Sequence, residues 1–279
     1  MMAKCGIPEM KRAANEIRKD IIRMTAAAGS GHPGGSLSSV EILVSLYFNV
    51  MKHDPKNPAW SERDRFVLSK GHVCPVLYAA LARSGYFPVD ELLTLRKLGS
   101  RLQGHPHRLK LECLETSSGS LGQGLSIAVG MAIGFRMDHR NQRAYCLMGD
   151  GELQEGQVWE AAMSGAHYRL DNLCGIVDVN RLQIDGWTKD VMNIEPLAKK
   201  WEAFGWHTIE VDGHDLEQLI KAFEEAKETK GKPTVILANT VKGKGVSFME
   251  NKAEWHGKAP KKEEAQKALD ELEKNQGCC

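Results

Sequence analysis

Apolar residues recur at helical spacing in the first fifty residues, on either side of a glycine-rich segment. Residues 10–28 place Ile17 and Ile21 on one face, and residues 36–50 repeat that spacing. Each pattern predicts an amphipathic helix, because apolar residues three and four apart share one side of a helix. Residues 29–35 contain four glycines and are predicted to form the loop between the two helices.

Short apolar runs alternate with helical patterns through the rest of the chain. The predicted strands cover residues 65–68, 144–148, 173–179, 206–211 and 234–238. The predicted helices cover residues 75–83, 89–98, 126–135, 155–167, 215–229 and 261–274. Apolar strands that alternate with helices indicate a parallel sheet covered on both faces. The predicted fold class is therefore α/β, with three layers, a mostly parallel central sheet and helices on both faces.

Length and composition are those of one large domain. The chain has 279 residues, of which 42% are hydrophobic, and single cores grow to roughly 250–300 residues. We therefore expect one domain over residues 1–279, with a core at residues 10–260 and a charged helix and tail at residues 261–279.

The charge of the chain excludes two classes of partner. Lys and Arg number 37 and Asp and Glu 36, so the net formal charge is +1, too small to attract nucleic acid or anionic membranes. No apolar run reaches the roughly 18–20 residues that span a bilayer, and the first residues lack a secretory signal. A cytoplasmic protein is predicted. The seven cysteines show no Cys-x-x-Cys spacing, so no disulfide framework is expected, and Cys278 and Cys279 are interpreted as a frayed end.

Oxygen-bearing residues follow two of the predicted strands. Asp150, flanked by glycines, follows one strand, and Asn180 follows the next. Ligands of such sheets bind beyond the carboxyl ends of the strands. Carboxylate, amide and main-chain oxygens suit Mg²⁺ or Ca²⁺ rather than zinc, and a single carboxylate leaves part of the metal shell to phosphate oxygens. A bare Gly-Asp-Gly is also typical of an ordinary strand-to-helix turn.

Four Gly-His dipeptides occur where the composition predicts about one. Three of the histidines, His32, His72 and His105, lie in predicted loops. They indicate one pocket lined with imidazoles, which suit proton transfer near neutral pH and recognition of hydroxyl groups. The fourth, His214, lies at a strand-to-helix turn where Asp215 is expected to cap the helix, and is predicted to be structural.

The segment from Gly149 to Gly186 resembles the thiamin-diphosphate-binding motif, in which Gly-Asp-Gly is followed by an Asn just under thirty residues later. Within that superfamily its Leu-Gln-Glu-Gly and Gln-Ile-Asp-Gly runs are similar to those of transketolases. The three Gly-His loops, the Gly-Ser-Leu-Gly-Gln-Gly loop at residues 119–124 and Trp255-His256-Gly257 also match that family. The resemblance extends over residues 13–260.

The resemblance implies a role for each matching position. Asp150, Asn180 and the Leu182 carbonyl would bind Mg²⁺, or Ca²⁺ or Mn²⁺ in its place. His32 and His105 would face the substrate hydroxyls and the reacting carbon. The residues implied to bind thiamin diphosphate are His72, Leu121, Gly122, Gly149, Asp150, Gly151, Glu155, Asn180 and His256, of which Glu155 would join a carboxylate network that couples paired active sites. His72 and His256 complete the implied catalytic set.

In transketolases the glutamate that activates the cofactor lies on a second domain, which follows the diphosphate-binding domain together with a third. No further run of strands is present here in which such a domain could lie. The resemblance therefore implies the diphosphate- and Mg-binding subunit of a two-chain transketolase. It would transfer a two-carbon ketol unit between sugar phosphates. A separate subunit would carry the pyrimidine-binding and C-terminal domains, and a heterotetramer of two plus two chains is the symmetric default.

Alternatives stay open from the sequence. One is another thiamin-dependent enzyme, such as a deoxyxylulose-phosphate or dihydroxyacetone synthase or a transketolase for a modified or sulfonated sugar. Another is a non-catalytic regulatory protein that keeps the fold. The run at residues 242–245, Lys-Gly-Lys-Gly, lacks the first glycine of a Walker motif. It is interpreted either as a loop that closes over the cofactor or as a flexible surface loop.

Overall fold

Five parallel strands form the central sheet of the computed structural model, which describes residues 4–274. They are β1 (Arg65–Leu68), β2 (Ala144–Gly149), β3 (Leu173–Val179), β6 (His207–Asp212) and β7 (Thr234–Asn239). Their order across the sheet is β1-β2-β3-β7-β6, and β4 (Leu182–Gln183) and β5 (Gly186–Trp187) pair as a separate antiparallel ribbon. The predicted parallel α/β fold is confirmed. The prediction for Cys278 and Cys279 lies outside the described residues.

Helices cover both faces of the sheet. They are α1 (Ile7–Ala28), α2 (Pro33–Ser38), α3 (Val40–Ser45), α4 (Cys74–Arg83), α5 (Gly124–Met137), α6 (Gly156–His167), α7 (Thr188–Val191), α8 (Leu197–Ala203), α9 (Leu216–Glu228) and α10 (Lys262–Lys274). Buried residues of α1, α3, α4, α9 and α10 form one core, and those of α5, α6 and α8 form the other. Among residues 4–274, no helix is both long enough and apolar enough to cross a membrane.

The central strand and its neighbouring helix show why the local predictions succeed. Every residue of β3 is buried, as expected for a strand covered on both faces. Helix α9 begins after Asp215, whose carboxylate accepts hydrogen bonds from the backbone N–H groups of Glu217 at 2.9 Å and Gln218 at 3.1 Å. Such a cap stabilises a helix by about 1 kcal/mol.

Two predicted helices differ from the structure. Residues 36–50 form α2, α3 and a π-helical turn at Leu46–Val50 rather than one continuous helix. The break coincides with Ser38 and Ser39, whose hydroxyls donate to the Gly35 carbonyl and to Asp178. Serine side chains that bond to nearby backbone compete with helix continuation. The predicted helix at residues 89–98 is a short 3₁₀ helix over Val89–Thr94.

Candidate active site

The carboxyl ends of β1, β2, β3 and β7 meet at one cavity of about 340 Å³. Of the twelve residues predicted for the site, ten line this cavity: His32, His72, Leu121, Gly149, Asp150, Gly151, Glu155, Asn180, Leu182 and His256. The other two, His105 and Gly122, lie beside it: the His105 ring centroid is 6.4 Å from that of His32, and the Gly122 N–H contacts a residue of the lining. The structure therefore brings the sequence-predicted positions together.

A larger cavity, of about 630 Å³, lies between α1 and the start of α9 and holds none of these twelve residues. It contains His214, whose Nδ1 is 2.9 Å from the Glu41 carboxylate and whose Nε2 accepts the Val241 N–H at 2.8 Å. Glu41 is in turn paired with Arg18. Both ring nitrogens of His214 are engaged with the protein, as expected for a structural histidine.

Asp150 and Asn180 meet because they follow the adjacent strands β2 and β3. The Asp150 carboxylate accepts hydrogen bonds from the backbone N–H groups of Gly151, at 2.8 Å, and Arg181. Within residues 4–274 it forms no ion pair with a basic side chain. Burial, followed by repulsion from Asp178, raises the pKa of Asp150 to about 7. A buried carboxylate without a direct countercharge fits a divalent cation, which would supply that charge.

Lys242 contacts the Leu182 carbonyl, which is the third predicted metal ligand. Its ammonium donates to the Leu182 carbonyl at 3.0 Å and lies 2.9 Å from His256 Nδ1. The side chain is fully buried, and burial lowers the pKa of Lys242 to about 8. Gly243 donates its N–H to the Gly34 carbonyl at 2.9 Å. The interpretation of this run as a flexible surface loop is therefore wrong for Lys242 and Gly243, because Lys242 lines the cavity and both residues are buried.

Asp178 is the charged residue within buried β3, and it organises the side chains around Asn180. Its carboxylate pairs with the Lys70 ammonium and accepts hydrogen bonds from Ser38 Oγ at 2.6 Å, Asn180 Nδ2 at 3.0 Å and the Thr240 hydroxyl. Burial alone would raise the pKa of Asp178, but Lys70 and these hydrogen bonds hold it below its ordinary value. The carboxylate is therefore a fixed anion behind the proposed metal ligands.

Glu152 connects two of the loops that the cofactor prediction involves. Its carboxylate accepts hydrogen bonds from the Gly122 N–H at 2.8 Å, the Gly149 N–H at 3.0 Å and the Ser69 hydroxyl. The side chain is buried, and burial raises the pKa of Glu152. Because it accepts from both glycines, Glu152 fixes the spacing of the two loops.

Glu155, three residues later, has a different environment. Its side chain is exposed at the start of α6, and its carboxylate has no hydrogen-bond partner among the described residues. A Cβ on Gly122 would lie 2.8 Å from the Glu155 Cβ, so the glycine permits close approach of the two loops, and its φ of 83° also favours glycine. The role of Glu155 between paired active sites stays a prediction.

Three imidazoles lie close together in the lining of the cavity. The ring centroids of His32 and His72 are 5.1 Å apart, those of His72 and His256 5.0 Å, and those of His32 and His256 5.5 Å. Burial, followed by nearby positive charge, lowers the pKa of His32 to about 4 and that of His256 to about 3. The pKa of His72 is also well below its ordinary value because of burial. These low pKa values favour the neutral form of the three rings at pH 7, and a neutral imidazole has one donor and one acceptor nitrogen, of which His256 already uses Nδ1 with Lys242.

Sequence reasoning missed Lys70, Glu152 and Asp178 and left Lys242 undecided. One signal was present: Asp178 is an acidic residue inside an otherwise apolar predicted strand, and a buried charge there requires a partner. Lys70 precedes the predicted Gly71-His72 pair, and Glu152 follows the predicted Gly149–Gly151 turn. Their partners are distant in sequence, so the motifs alone do not reveal their contacts.

Comparison with known proteins is consistent with this geometry. Residues 9–276 match the family model described as transketolase, thiamine diphosphate binding domain. The chain is 49% identical over 266 residues to the 6-deoxy-6-sulfo-D-fructose transketolase subunit SqwG of Clostridium sp. (strain MSTE9), covering 95% of this chain and 97% of that protein. It is 46% identical over 265 residues to an apulose-4-phosphate transketolase subunit of Actinobacillus succinogenes, covering 95% and 96%. A crystal structure of transketolase from Campylobacter jejuni superposes with a TM-score of 0.91 at 35% identity, over 96% of this chain and 43% of that one.

The parallel sheet and its carboxyl-edge cavity define a cofactor-binding α/β domain of an enzyme. More particularly, the chain belongs to the family of transketolase thiamine diphosphate-binding domains. The predicted resemblance, the transferase class and the cofactor, thiamin diphosphate with a divalent metal ion, are thereby confirmed. The role of each residue toward that cofactor stays a prediction.

Proposed function

We propose that the chain is the diphosphate- and metal-binding subunit of a two-chain transketolase. The observation that carries the proposal is the nearly end-to-end match to relatives that are named as subunits. The chain covers 97% and 96% of two relatives whose names call them subunits, but 43% of a transketolase chain of known structure. The remainder of the active site would come from a second polypeptide with the pyrimidine-binding and C-terminal domains. A complex of two plus two chains is the symmetric arrangement we propose.

In this proposal the carboxyl edge of the sheet holds the cofactor through its charged end. Asp150, Asn180 and the Leu182 carbonyl bind Mg²⁺, and the backbone around Gly149 and Gly151 contacts the diphosphate. When bound, thiamin diphosphate would supply the carbon nucleophile and the electron sink that ketol transfer needs. Glu152 keeps the glycine loops at the spacing that the cofactor requires.

The histidines act on the sugar. His32 and His105 recognise the substrate hydroxyls, and His32 holds or moves a proton at the reacting carbon. The neutral state of His32 supports this role, because a neutral imidazole both donates and accepts. His32 lines the cavity, so its ring is placed to meet a sugar bound there. His72 and His256 lie closer to the diphosphate.

Reconstitution tests the proposal directly. The purified chain should show no transketolase activity, and addition of the partner subunit should restore it in proportion to complex formed. Ketol transfer is followed by appearance of the lengthened sugar phosphate, with the partner alone as the second control. Substantial turnover by this chain alone would contradict the two-chain proposal.

The proposed donor substrate is a ketose phosphate. The name of one relative favours a second candidate donor, a sulfonated ketose. The relative that is 49% identical is named for a sulfonated fructose, whereas another, at 46%, is named for apulose 4-phosphate. Xylulose 5-phosphate, a sulfofructose and pyruvate should therefore be compared as donors with the reconstituted pair. Preference for the sulfonated sugar would select the second candidate. Pyruvate consumption without ketol transfer would contradict both.

A further inference from the structure

Arg96 joins two of the loops that carry histidines of the site. Its Nη1 donates to Ser30 Oγ at 2.8 Å, and its Nη2 donates to the Gly104 carbonyl at 3.3 Å. Ser30 lies two residues before His32, and Gly104 immediately precedes His105. The backbone of Arg96 is itself held in the left-handed region, with a φ of 60°. One guanidinium therefore bridges chain segments that are otherwise far apart in sequence.

The packing of Gly104 is an independent sign of this bridge. A Cβ added at Gly104 would lie 2.9 Å from both Cζ and Nε of Arg96, closer than real Cβ atoms approach other atoms. Gly104 is not among the glycines with positive φ. Glycine at this position therefore serves the close approach of the guanidinium to the backbone rather than an unusual backbone conformation.

We propose that Arg96 is a positioning residue for ketose recognition, which sets the separation of His32 and His105 by clamping the Ser30–His32 loop against the Gly104–His105 loop. This inference rests on the proposed function, because that function assigns the two imidazoles to the sugar hydroxyls. A planar guanidinium with two directed hydrogen bonds is suited to the task, whereas the single ammonium of lysine cannot reproduce its geometry. Arg96 itself touches neither cofactor nor substrate in this proposal.

The charge of Arg96 supplies a second effect. After burial, the guanidinium is the largest cause that lowers the pKa of His32 and of His105. The other groups that face His32 are His105, His72, His256 and Lys242. Arg96 therefore helps to keep both substrate-facing rings neutral while it holds them apart.

Kinetics of the complete two-chain enzyme test the clamp. Arg96→Lys and Arg96→Met should each raise KM for the ketose about tenfold, equivalent to about 1.4 kcal/mol, and leave the Kd of thiamin diphosphate within about twofold. Arg101→Met is the matched control and should leave both unchanged. That arginine lies five residues later and pairs with Glu91 instead. Normal kinetics in Arg96→Lys would overturn the proposal.

Gly104→Ala perturbs the same contact without changing Arg96. The added methyl group displaces the flexible end of the arginine, so the variant should fold and should raise KM to a similar extent. Combined with Arg96→Met, it should add little, since both changes remove one interaction. Additive losses in the double variant would overturn the clamp. Ser30→Ala, which removes the Nη1 acceptor, should give a smaller change in the same direction.

Histidine titration in the full chain alone separates this inference from the proposed function. In nuclear magnetic resonance spectra, the midpoints of His32 and His105 should move to higher pH in Arg96→Met and stay unchanged in Arg101→Met. Unchanged midpoints in Arg96→Met would overturn the role of Arg96 beside the rings. Failure of the complete enzyme to transfer a ketol unit, with the midpoints shifted as expected, would contradict the proposed function only.

Discussion

The Asn180 amide donates a hydrogen bond to the Asp178 carboxylate at 3.0 Å, and this contact determines which end of the amide is left for a ligand. The Asn180 Oδ1 accepts the Leu182 N–H at 3.1 Å and retains a second lone pair. A metal requires that oxygen rather than the nitrogen. An anion buried inside β3 thus orients a proposed metal ligand at the end of the same strand.

Asp178→Asn should destabilise the chain by about 3–5 kcal/mol, because the Lys70 ammonium would stay buried without its anion. Urea unfolding followed by circular dichroism measures the change. Glu91→Gln is a control, since it removes one member of an exposed ion pair with Arg101 and should cost less than about 1 kcal/mol. Adding Lys70→Met to Asp178→Asn should recover part of the loss. No recovery would mean that the Lys70 charge is not the cause.

Glu152→Gln tests the link between the glycine loops. The amide keeps one acceptor oxygen but places an NH₂ group against N–H or O–H donors, at a cost of about 1–3 kcal/mol. The affinity of the complete enzyme for thiamin diphosphate should fall together with the stability. Titration calorimetry measures that affinity. Glu155→Gln is the matched control for stability, because that carboxylate is exposed, and should change the unfolding free energy by less than about 0.5 kcal/mol. Equal effects of the two substitutions would contradict the role given to Glu152.

Asp150→Ala should abolish the Mg²⁺ dependence of cofactor binding in the complete enzyme. The amide and carbonyl oxygens that remain carry no net charge with which to hold the ion beside a diphosphate. Mutation of a residue that hydrogen-bonds to a metal ligand lowers metal affinity about 10–100-fold. Removal of the ligating carboxylate itself should lower that affinity by more than about 100-fold. Titration calorimetry with Mg²⁺ and with a chelator measures this. Asp190→Ala, at an exposed aspartate in α7, should leave the affinity unchanged. Unchanged affinity in Asp150→Ala would mean that the metal lies elsewhere.

The location of the site was predictable from the sequence because it depends on topology. Asp150 and Asn180 end neighbouring apolar strands, and parallel strands present their carboxyl ends at one edge. The contacts that hold the site were not predictable, because their partners are far apart in the chain. Ser69 and Glu152 are separated by 83 residues, and Lys70 and Asp178 by 108.

The same limit applies to secondary structure. The apolar spacing in residues 36–50 is helical throughout, yet the helix breaks between α2 and α3. Ser38 and Ser39 donate there to Asp178, a residue about 140 positions away. A tertiary contact therefore accompanies the departure from the local pattern, and no window of neighbouring residues contains it.

Lowering the pH should reduce the stability of the wild-type chain relative to that of His256→Gln. Burial, then the Lys242 ammonium, lowers the pKa of His256 to about 3, whereas an unfolded histidine titrates near about 6.5. Between these values the unfolded chain binds a proton that the folded chain does not, so stability falls with decreasing pH by at most about 1.4 kcal/mol per pH unit. Above about pH 6.5 this contribution to the slope vanishes. The pKa of Asp150 is raised to about 7, so this carboxyl increases stability as the pH falls. Asp150 is present in both the wild type and His256→Gln, so the difference between their unfolding free energies reports the histidine. Urea unfolding measures the free energy of unfolding of both chains at about pH 7.5 and about pH 5. Relative to that of the wild type, the value for His256→Gln should be larger at the lower pH. A constant difference would contradict a His256 that stays neutral in the folded chain at about pH 5.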